Sequence, residues 1–479
     1  MRRAAAPPVA VARSVAGEWG LATPDGATSV HRSVGALLDA MPAGCPAIFR
    51  DQIAAREILD FGIRRSLAGA GELPSVALRA GQTSGAAHAI ATATVGGRFF
   101  LDGSLHVAED DIEAAPDSVP ALVEPWQLQG RAELRAQAAA ILALLGAWQA
   151  EVEACGIPAK LAAGSTAAQL IPARWLRAAK AMRAAHPEAI AAIDSARYGG
   201  RVECWAPQWR GEAVEYDIRS AYGAAMAGEL GRLPDCQLYP DREPLPRQPS
   251  WHHVRVRVQA VDGIAPLPMR DPELQWKLHW PVEGEWTGWY TGADLDQPGV
   301  EVVETMQVHA GRYGGDLEGP VGDLLELREG HGPWRRAVVR QLVNSLAGKL
   351  AEGSDAWRLW VPDSAEAASR LPPGLVQIGG MESRVMAYPV REPPRAHNQP
   401  QVHSYLTARV RGKLNEGLRR SGGHALYCDT DSMHLPADAE PPELGTGPGA
   451  WARKGGGDAY YRGRRSYRIG TKTVGMPDG

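Results

Sequence analysis

Two hydrophobic patterns alternate along the chain and predict its helices and strands. Residues 131–156 and 400–420 are rich in Ala, Leu and other helix formers, so each range predicts one long helix. Residues 321–352 predict a pair of helices, because the sequence GHGP at residues 330–333 interrupts the helical pattern. From about residue 197, β-forming residues dominate with Gly and Pro between them, so a mixed sheet is predicted to begin there.

The stretch HALYCDTDSMHL, residues 424–435, predicts a β-hairpin with an unusual turn. Apolar runs flank Asp429, Thr430 and Asp431, so two like charges lie one residue apart. Asp is a favoured turn former because its side chain accepts hydrogen bonds from nearby backbone amides, and this explains the hairpin alone. A second explanation is a metal site, which needs a third carboxylate elsewhere in the chain.

Composition limits the class of protein. The 479 residues are 44% hydrophobic and 22% charged, which predicts a globular protein of two or three domains. The formal net charge of -4 gives no overall sign of a nucleic-acid binder, although residues 452–472 carry seven Lys and Arg against one Asp. The cysteines lack C-x-x-C spacing, which argues against zinc or disulfides and favours a cytoplasmic location. No apolar run is long enough to predict a membrane span.

Asp217 is the candidate for the third carboxylate, because it lies at the end of the strand-like segment EAVEYD. By itself it is better explained as the N-cap of a following helix. Together with Asp429 and Asp431 it supplies the oxygen ligands that two Mg²⁺ ions need, with Mn²⁺ as a substitute. In such a site one ion activates an attacking 3′-hydroxyl and the other a leaving pyrophosphate.

DIRSAYG, RQLVNSLAG and YCDTDS follow one another along the chain. In this order they resemble motifs A, B and C of family B DNA polymerases, especially the protein-primed type of phages and mobile elements. DIRSAYG (217–223) resembles D-x-x-S-L-Y-P, and YCDTDS (427–432) matches Y-x-D-T-D-S. RQLVNSLAG (340–348) resembles K-x-x-x-N-S-x-Y-G with Arg340 at the Lys position. RYGGR (197–201) and RSY (465–467) resemble the Y-x-G-G and K-x-Y elements. Any one motif is weak evidence, whereas the ordered set is strong.

The resemblance implies an α+β fold with a polymerase palm, built from a mixed or antiparallel sheet with helices, and helical-hairpin fingers. A degenerate RNase-H-like exonuclease domain is expected before the palm. The implied domains are 1–185 for the exonuclease-like part, 186–320 and 397–450 for the palm, 321–352 for the fingers, 353–396 for an insertion and 451–479 for the basic K-x-Y-like segment with a thumb stub.

The resemblance also implies roles for individual residues. Catalysis and both metal ions are assigned to Asp217, Asp429 and Asp431. Nucleotide binding is assigned to Arg336, Arg340, Asn344, Tyr222 and Ser220, and contacts with template and primer DNA to Gly199, Gly200, Arg465, Tyr467 and Thr430.

Plainer explanations stay open for several of these residues. On the second predicted fingers helix, Arg336, Arg340 and Asn344 recur every four positions and so share one face. Such a face is also typical of a solvated basic surface. Tyr222, the expected steric gate against a 2′-hydroxyl, is alternatively a core aromatic. The glycine pair is alternatively an ordinary turn, and the RSY segment an exposed basic loop.

Residues 1–185 resemble the family's 3′-5′ exonuclease domain in layout only. AIFRDQIAAREIL (47–59) lies where the N-x-x-x-F-D element is expected, and Leu134 and Ala138 take the Tyr and Asp positions of Y-x-x-x-D. No D-x-E follows a strand near Glu18 or Asp25. The sequence therefore predicts a scaffold without metal-dependent hydrolysis.

The leading interpretation is a DNA polymerase that uses template and primer DNA and deoxynucleoside triphosphates. A very short thumb is expected after Tyr467, so a protein partner or self-association is expected to replace it. Two alternatives stay open: a catalytically silent, polymerase-derived nucleic-acid-binding or assembly module, and a primer-independent or protein-primed nucleotidyltransferase.

The missing acids predict that the chain does not degrade DNA from its 3′ end. Labelled single-stranded DNA incubated with the chain and Mg²⁺ or Mn²⁺ should keep its full length, because two-metal hydrolysis needs carboxylate ligands. Degradation that is lost when an acidic residue before residue 185 is replaced would contradict the alignment.

Overall fold

A computed structural model describes residues 9–14, 17–41, 47–49, 77–81, 88–95, 98–101, 115–116, 131–160, 163–270, 278–352, 355–360, 376–377, 386–391 and 397–475. The chain divides into two compact units. The first comprises Met1–Thr166, His331–Leu342 and Glu352–Arg395. The second comprises Ala167–Gly330, Val343–Ala351 and Ala396–Gly479.

Strands and helices alternate irregularly along the chain, as expected for an α+β protein. The strands are β1 (Val9–Arg13), β2 (Trp19–Ala22), β3 (Thr28–His31), β4 (Ala47–Phe49), β5 (Ala77–Gly81), β6 (His88–Val95), β7 (Arg98–Leu101), β8 (Val202–Cys204), β9 (Arg210–Ile218), β10 (Leu233–Tyr239), β11 (Ser250–Gln259), β12 (Met269–Arg270), β13 (Leu278–His279), β14 (Glu283–Thr291), β15 (Val300–Gly314), β16 (Asp355–Trp360), β17 (Val376–Gln377), β18 (Met386–Arg391), β19 (Tyr427–Asp429), β20 (Ser432–Pro436), β21 (Trp451–Gly463), β22 (Ser466–Ile469) and β23 (Lys472–Val474). The helices are α1 (Val34–Ala40), α2 (Arg131–Ala154), α3 (Ala163–Ala167), α4 (Ala173–Ala185), α5 (Pro187–Ser195), α6 (Ala221–Met226), α7 (Gly292–Leu295), α8 (Glu318–Glu329), α9 (Pro333–Ala351) and α10 (Pro400–Arg420).

The long helices agree with the sequence pattern. α2 and α10 correspond to the two predicted long helices, and α8 and α9 form the predicted pair with their break at residues 330–332. Among the described residues, no helix is long and apolar enough to cross a membrane.

The first unit is built on one large sheet with α2 packed against it. The strand order is β17-β18-β16-β5-β6-β7-β4-β1-β2-β3, and β4 is parallel to both β1 and β7 while the other pairs are antiparallel. α2 buries an apolar stripe that includes Leu134, Ala138, Ile141 and Leu145, a spacing that puts them on one helix face. Strands β16 to β18 show that the segment 353–396, expected as an insertion, contributes to this sheet.

The exonuclease positions described in the first unit carry no catalytic acid. Leu134 and Ala138, at the expected Tyr and Asp positions, are fully buried in the helix-sheet interface. Glu18 forms an ion pair with Arg131 at 3.1 Å, and Asp25 accepts a hydrogen bond from Thr23 in the β2–β3 turn. The candidate N-x-x-x-F-D segment lies outside the described residues after position 49.

The second unit contains a seven-stranded antiparallel sheet that carries all three aspartates. Its strand order is β23-β22-β21-β9-β20-β19-β8, so β9 lies in the middle and pairs with both β20 and β21. A separate four-stranded antiparallel sheet has the order β10-β15-β11-β14. α10 packs against α5, α6, α7 and β10. The predicted mixed or antiparallel palm sheet is therefore antiparallel in the described residues.

Aromatic rings fill the core of the seven-stranded sheet. Tyr427, Tyr461 and Tyr467 pack around His434, with the Tyr427 and Tyr467 ring centroids 4.7 Å apart. The Nδ1 of His434 lies 3.0 Å from the Tyr461 hydroxyl, and burial lowers the pKa of His434 to about 4. The histidine is therefore a neutral core residue at physiological pH.

Two buried arginines fix the segment 197–201 to the rest of the second unit. Arg411 donates to the carbonyl oxygen of Tyr198 at 2.8 Å and pairs with Asp294 at 2.7 Å. Arg201 donates to Asn415 Oδ1 and to the carbonyl oxygen of Ala265, both at 2.8 Å. Removing one member of a buried ion pair costs several kcal/mol, so both arginines hold this segment firmly.

The same segment holds the turn between β19 and β20. Thr430 has a φ of 61°, an unfavourable value for a β-branched residue. Its backbone N–H donates to the carbonyl oxygen of Arg201 at 2.7 Å. A Cβ atom added to Gly200 would lie 2.7 Å from the Thr430 side chain, whereas one added to Gly199 would meet only Leu278 at 3.7 Å. Gly200 is therefore required for close packing against the turn, and Gly199 is not.

This packing predicts that Gly200→Ala destabilises the second unit and Gly199→Ala does not. The added methyl group at residue 200 overlaps Thr430, and overpacking of this kind costs about 1–3 kcal/mol of unfolding free energy. Urea denaturation of the two variants should separate them, with Gly199→Ala within about 0.5 kcal/mol of the wild type. Equal stabilities would mean that the turn moves without cost.

Candidate active site

Asp217 and Asp429 lie on one face of the seven-stranded sheet, on either side of Ser432. The register pairs Asp217 of β9 with Ser432 of β20, and Ser432 with Asp429 of β19. Directly paired residues project to the same face, so both carboxylates share that face. Two strand spacings separate their Cα atoms by about 10 Å.

Asp431 completes the group from within the hairpin turn. Its carbonyl oxygen accepts a hydrogen bond from the backbone N–H of Ile218 at 2.8 Å, which ties the turn to the end of β9. Burial raises the pKa of Asp431 to about 7, and repulsion from Asp217 and Asp429 adds to this, although Lys454 opposes it. The structure thus brings together the three carboxylates that the sequence predicted as a set.

The N-cap explanation for Asp217 is wrong. α6 begins after Ser220, which is the N-cap residue and has a φ of 48°. Asp217 lies within β9, three residues before that cap. The hydroxyl of Ser220 accepts a hydrogen bond from Arg328 at the end of α8, so a guanidinium that the motifs did not indicate lies beside motif A.

Two basic side chains, one from β21 and one from the β21–β22 turn, pair with the carboxylates. Lys454 Nζ lies 2.7 Å from Asp217 Oδ2, and Arg465 Nε lies 3.6 Å from Asp429 Oδ2. The hydroxyl of Tyr427 also donates to Asp429 at 3.3 Å and accepts from the Arg465 backbone at 3.2 Å. The acidic group is therefore partly neutralised by residues of the predicted basic segment.

The carboxylates suit a hard divalent cation chemically. They supply oxygen ligands of the kind that such a cation prefers. The pKa of Asp431 is raised mainly by burial and further by the charges of Asp217 and Asp429, and a bound cation would offset the second contribution. The Lys454 ammonium already takes the place of a cation at Asp217. Within the described residues, no group of three or more His, Cys, Asp or Glu side chains is arranged so that it could hold a metal ion as it stands.

Tyr222 lies at the start of α6, close to the acidic group. Burial raises the pKa of its hydroxyl to about 12, and the charge of Asp431 adds to this effect. The phenol is therefore neutral, and its side chain is neither a fully buried core aromatic nor fully exposed.

The three polar residues predicted on the fingers helix share an exposed face of α9. Arg336, Arg340 and Asn344 are all exposed, while the apolar residues between them are buried. Arg336 and Arg340 belong to the first compact unit and Asn344 to the second.

The predicted DNA-contacting residues divide into buried and exposed ones. Tyr467 is 4% exposed, and its ring belongs to the aromatic core. Arg465 lies in the β21–β22 turn with a φ of 54°. Gly199 is exposed, whereas Gly200 packs against Thr430. Of these five positions, Gly199 is exposed, Gly200, Thr430 and Arg465 are half-buried, and Tyr467 is buried.

The sequence reasoning missed the specific partners of the aspartates. In the sequence Lys454 is only one charge of a basic segment, and no motif indicates Arg328, whose partner is Ser220. The run of three glycines directly after Lys454 was the only local signal, because glycines within a strand often mark a bulge.

Comparisons with known proteins show which known fold this chain has. No protein-family model and no curated protein matches the sequence. Solved structures of Phi29 DNA polymerase match along almost the whole chain. The ternary complex with primer-template DNA and incoming nucleotide substrates has a TM-score of 0.67 at 15% identity, covering 98% of this chain and 88% of that chain. The complex with single-stranded DNA has a TM-score of 0.66 at 14% identity, covering 95% and 85%.

These matches confirm, at the level of fold, the resemblance that the three ordered motifs indicated. They also confirm the predicted α+β class, with helices and antiparallel sheets combined in one chain. The chain therefore has the fold of Phi29 DNA polymerase.

Proposed function

We propose that this chain is a template-directed DNA polymerase that performs nucleotidyl transfer and lacks 3′-5′ proofreading. The observation that carries the proposal is the position of Asp217 and Asp429 on one sheet face, with Asp431 beside them. Crowded carboxylates are costly, so a decayed site would be expected to lose them first. The shared fold with a polymerase whose structures contain DNA and nucleotides supports the same conclusion.

Asp217, Asp429 and Asp431 would hold two Mg²⁺ ions. When bound, these would activate the primer 3′-hydroxyl and stabilise the charge of the leaving pyrophosphate. The contribution of the chain is positioning, because phosphoryl transfer depends mainly on alignment and charge stabilisation. The turn is rigid enough for this, since Gly200 and Arg201 both hold Thr430.

Binding of the incoming deoxynucleoside triphosphate is proposed for the five residues that the motif resemblance implied. Arg336, Arg340 and Asn344 on α9 offer two cations and an amide to the phosphates, and Arg can bind phosphate through two parallel hydrogen bonds. Ser220 and Tyr222 would lie at the sugar. A neutral phenol suits a steric gate, because it can pack against a deoxyribose without carrying charge.

Template and primer DNA would contact Gly199, which is exposed, and Thr430 and Arg465, which are half-buried. The C-terminal strands β21 to β23 would add phosphate contacts through their Lys and Arg side chains. Proofreading is not expected, because Leu134 and Ala138 are buried apolar residues at the Tyr and Asp positions of the Y-x-x-x-D element.

A second candidate is a catalytically silent module that binds nucleic acid. The ion pair between Lys454 and Asp217 favours it, because a lysine that permanently occupied this carboxylate would exclude a metal. A primer-independent or protein-primed nucleotidyltransferase is a further candidate. Primer extension on a DNA template with Mg²⁺, with and without a DNA primer, tests all three.

Replacing Asp217 or Asp429 by Asn should lower Mg²⁺-dependent primer extension by on the order of 100-fold or more, the loss expected when transition-state charge is left unstabilised. Binding of primer-template DNA and the thermal unfolding midpoint should change little. Asp438→Asn, which changes an exposed loop carboxylate, is the matched control. Near-normal extension by Asp429→Asn would show that the two-metal assignment is wrong.

Replacing Tyr222 by Ala should raise ribonucleotide incorporation relative to deoxynucleotide by about tenfold or more, because removing a wall of the sugar pocket admits the 2′-hydroxyl. Single-nucleotide incorporation with each substrate measures the ratio. Tyr222→Phe should keep the discrimination, since the ring and not the hydroxyl blocks the sugar. If discrimination is the same in Tyr222→Ala and the wild type, another residue is the gate.

A further inference from the structure

Lys454 reaches the acidic group because of an irregularity in β21. The register pairs Arg453 with Tyr216 and Gly455 with Glu215. Between these two pairs β21 moves along by two residues, whereas β9 moves by only one. Lys454 is therefore the extra residue of a β-bulge. Bulges redirect a side chain and are frequent beside active sites.

The redirected side chain contacts one carboxylate directly. Lys454 Nζ donates to Asp217 Oδ2 at 2.7 Å, a distance typical of a charge-assisted hydrogen bond. Partial burial lowers the pKa of Lys454, but attraction to Asp217 and Glu215 outweighs this and raises it above the ordinary value. The side chain is thus an ammonium at neutral pH.

The ion pair between Lys454 and Asp217 can open at a low cost in free energy. The Lys454 side chain is 56% exposed, so its head group can leave Asp217 for water without being desolvated elsewhere. An exposed pair of this kind contributes only modestly to stability. The contrast is the pair between Arg411 and Asp294, whose side chains are 2% and 4% exposed and cannot separate without a large cost.

We propose that Lys454 is a built-in counter-cation that holds the Asp217 carboxylate until a divalent ion displaces it. This inference rests on the proposed function, because it concerns the same carboxylates. The lysine protects the acidic group from its own repulsion when no metal is bound. It also sets the divalent concentration at which the site fills, because the ion must compete with the ammonium for Asp217.

The neighbouring lysine provides a matched comparison. Lys472 of β23 pairs with Glu215, which lies two residues before Asp217 on the same strand and the same sheet face. Replacing Lys472 removes the same charge close to the site but leaves Asp217 paired. A general effect of net charge would therefore appear in both lysine variants, whereas displacement would appear only at Lys454.

The experiment measures Mn²⁺ binding to the full chain without DNA or nucleotide, by electron paramagnetic resonance of the free ion. Lys454→Gln should bind Mn²⁺ roughly two- to fivefold more tightly than the wild type, the factor that corresponds to an exposed ion pair. Lys454→Arg, which keeps the cation, should stay near the wild type. Lys472→Gln should shift the affinity clearly less than Lys454→Gln.

A double-mutant cycle with Asp217→Asn tests the coupling itself. With Asp217 replaced, Lys454→Gln should have no further effect on Mn²⁺ affinity. Equal affinities in the wild type and Lys454→Gln, or equal shifts in the two lysine variants, would overturn the displacement inference.

The same data separate this inference from the proposed function. If Asp217→Asn does not weaken Mn²⁺ binding, the metal assignment itself fails. If Asp217-dependent binding is present but insensitive to Lys454, only the displacement inference fails. In primer extension, the Mg²⁺ concentration for half-maximal rate should fall in Lys454→Gln by the factor found for Mn²⁺.

Discussion

Repulsion among Asp217, Asp429 and Asp431 is the constraint on which the second unit depends. Like charges that share one face of a sheet repel each other, so the three carboxylates need compensation. The chain supplies part of it through Lys454 of β21 and Arg465 of the β21–β22 turn. Burial raises the pKa of Asp431 to about 7, and its two acidic neighbours add to this effect. The divalent cations that we propose for this site would relieve the repulsion among the three carboxylates.

The scaffold keeps the carboxylates from moving apart. β9 lies at the centre of its sheet and is paired on both sides, so Asp217 has little freedom. The hairpin turn is held by the carbonyl oxygen of Arg201 and by contact with Gly200, and Arg201 is itself fixed through Asn415. Backbone strain at a site persists only where its surroundings enforce it, and here the surroundings do so at Thr430. The contacts that hold the turn and β9 in place therefore also keep the three carboxylates close together.

In the first unit, the sheet and helix are formed, but apolar residues lie at the positions aligned with exonuclease residues. Its sheet and α2 are well formed, yet Leu134 and Ala138 bury apolar groups where an exonuclease would present polar ones. The packing of α2 explains why the fold survives such changes, because an apolar stripe stabilises a helix on a sheet better than a carboxylate would. The segment 353–396 extends the same sheet through β16 to β18, so this unit is a structural platform assembled from distant parts of the chain.

The sequence by itself determined the long helices and the hairpin at residues 427–436, because periodicity and turn chemistry are properties of neighbouring residues. The three aspartates were grouped through the family resemblance of the ordered motifs, since Asp217 is distant in the chain from the other two. Only the tertiary structure decided which cation meets Asp217, that Ser220 and not Asp217 caps α6, that Gly200 packs on Thr430, and that Tyr467 belongs to the core. These outcomes depend on strand register and on one extra residue in β21. Lys454 and Asp217 are 237 positions apart in the chain, and no local pattern specifies that a bulge will turn one toward the other.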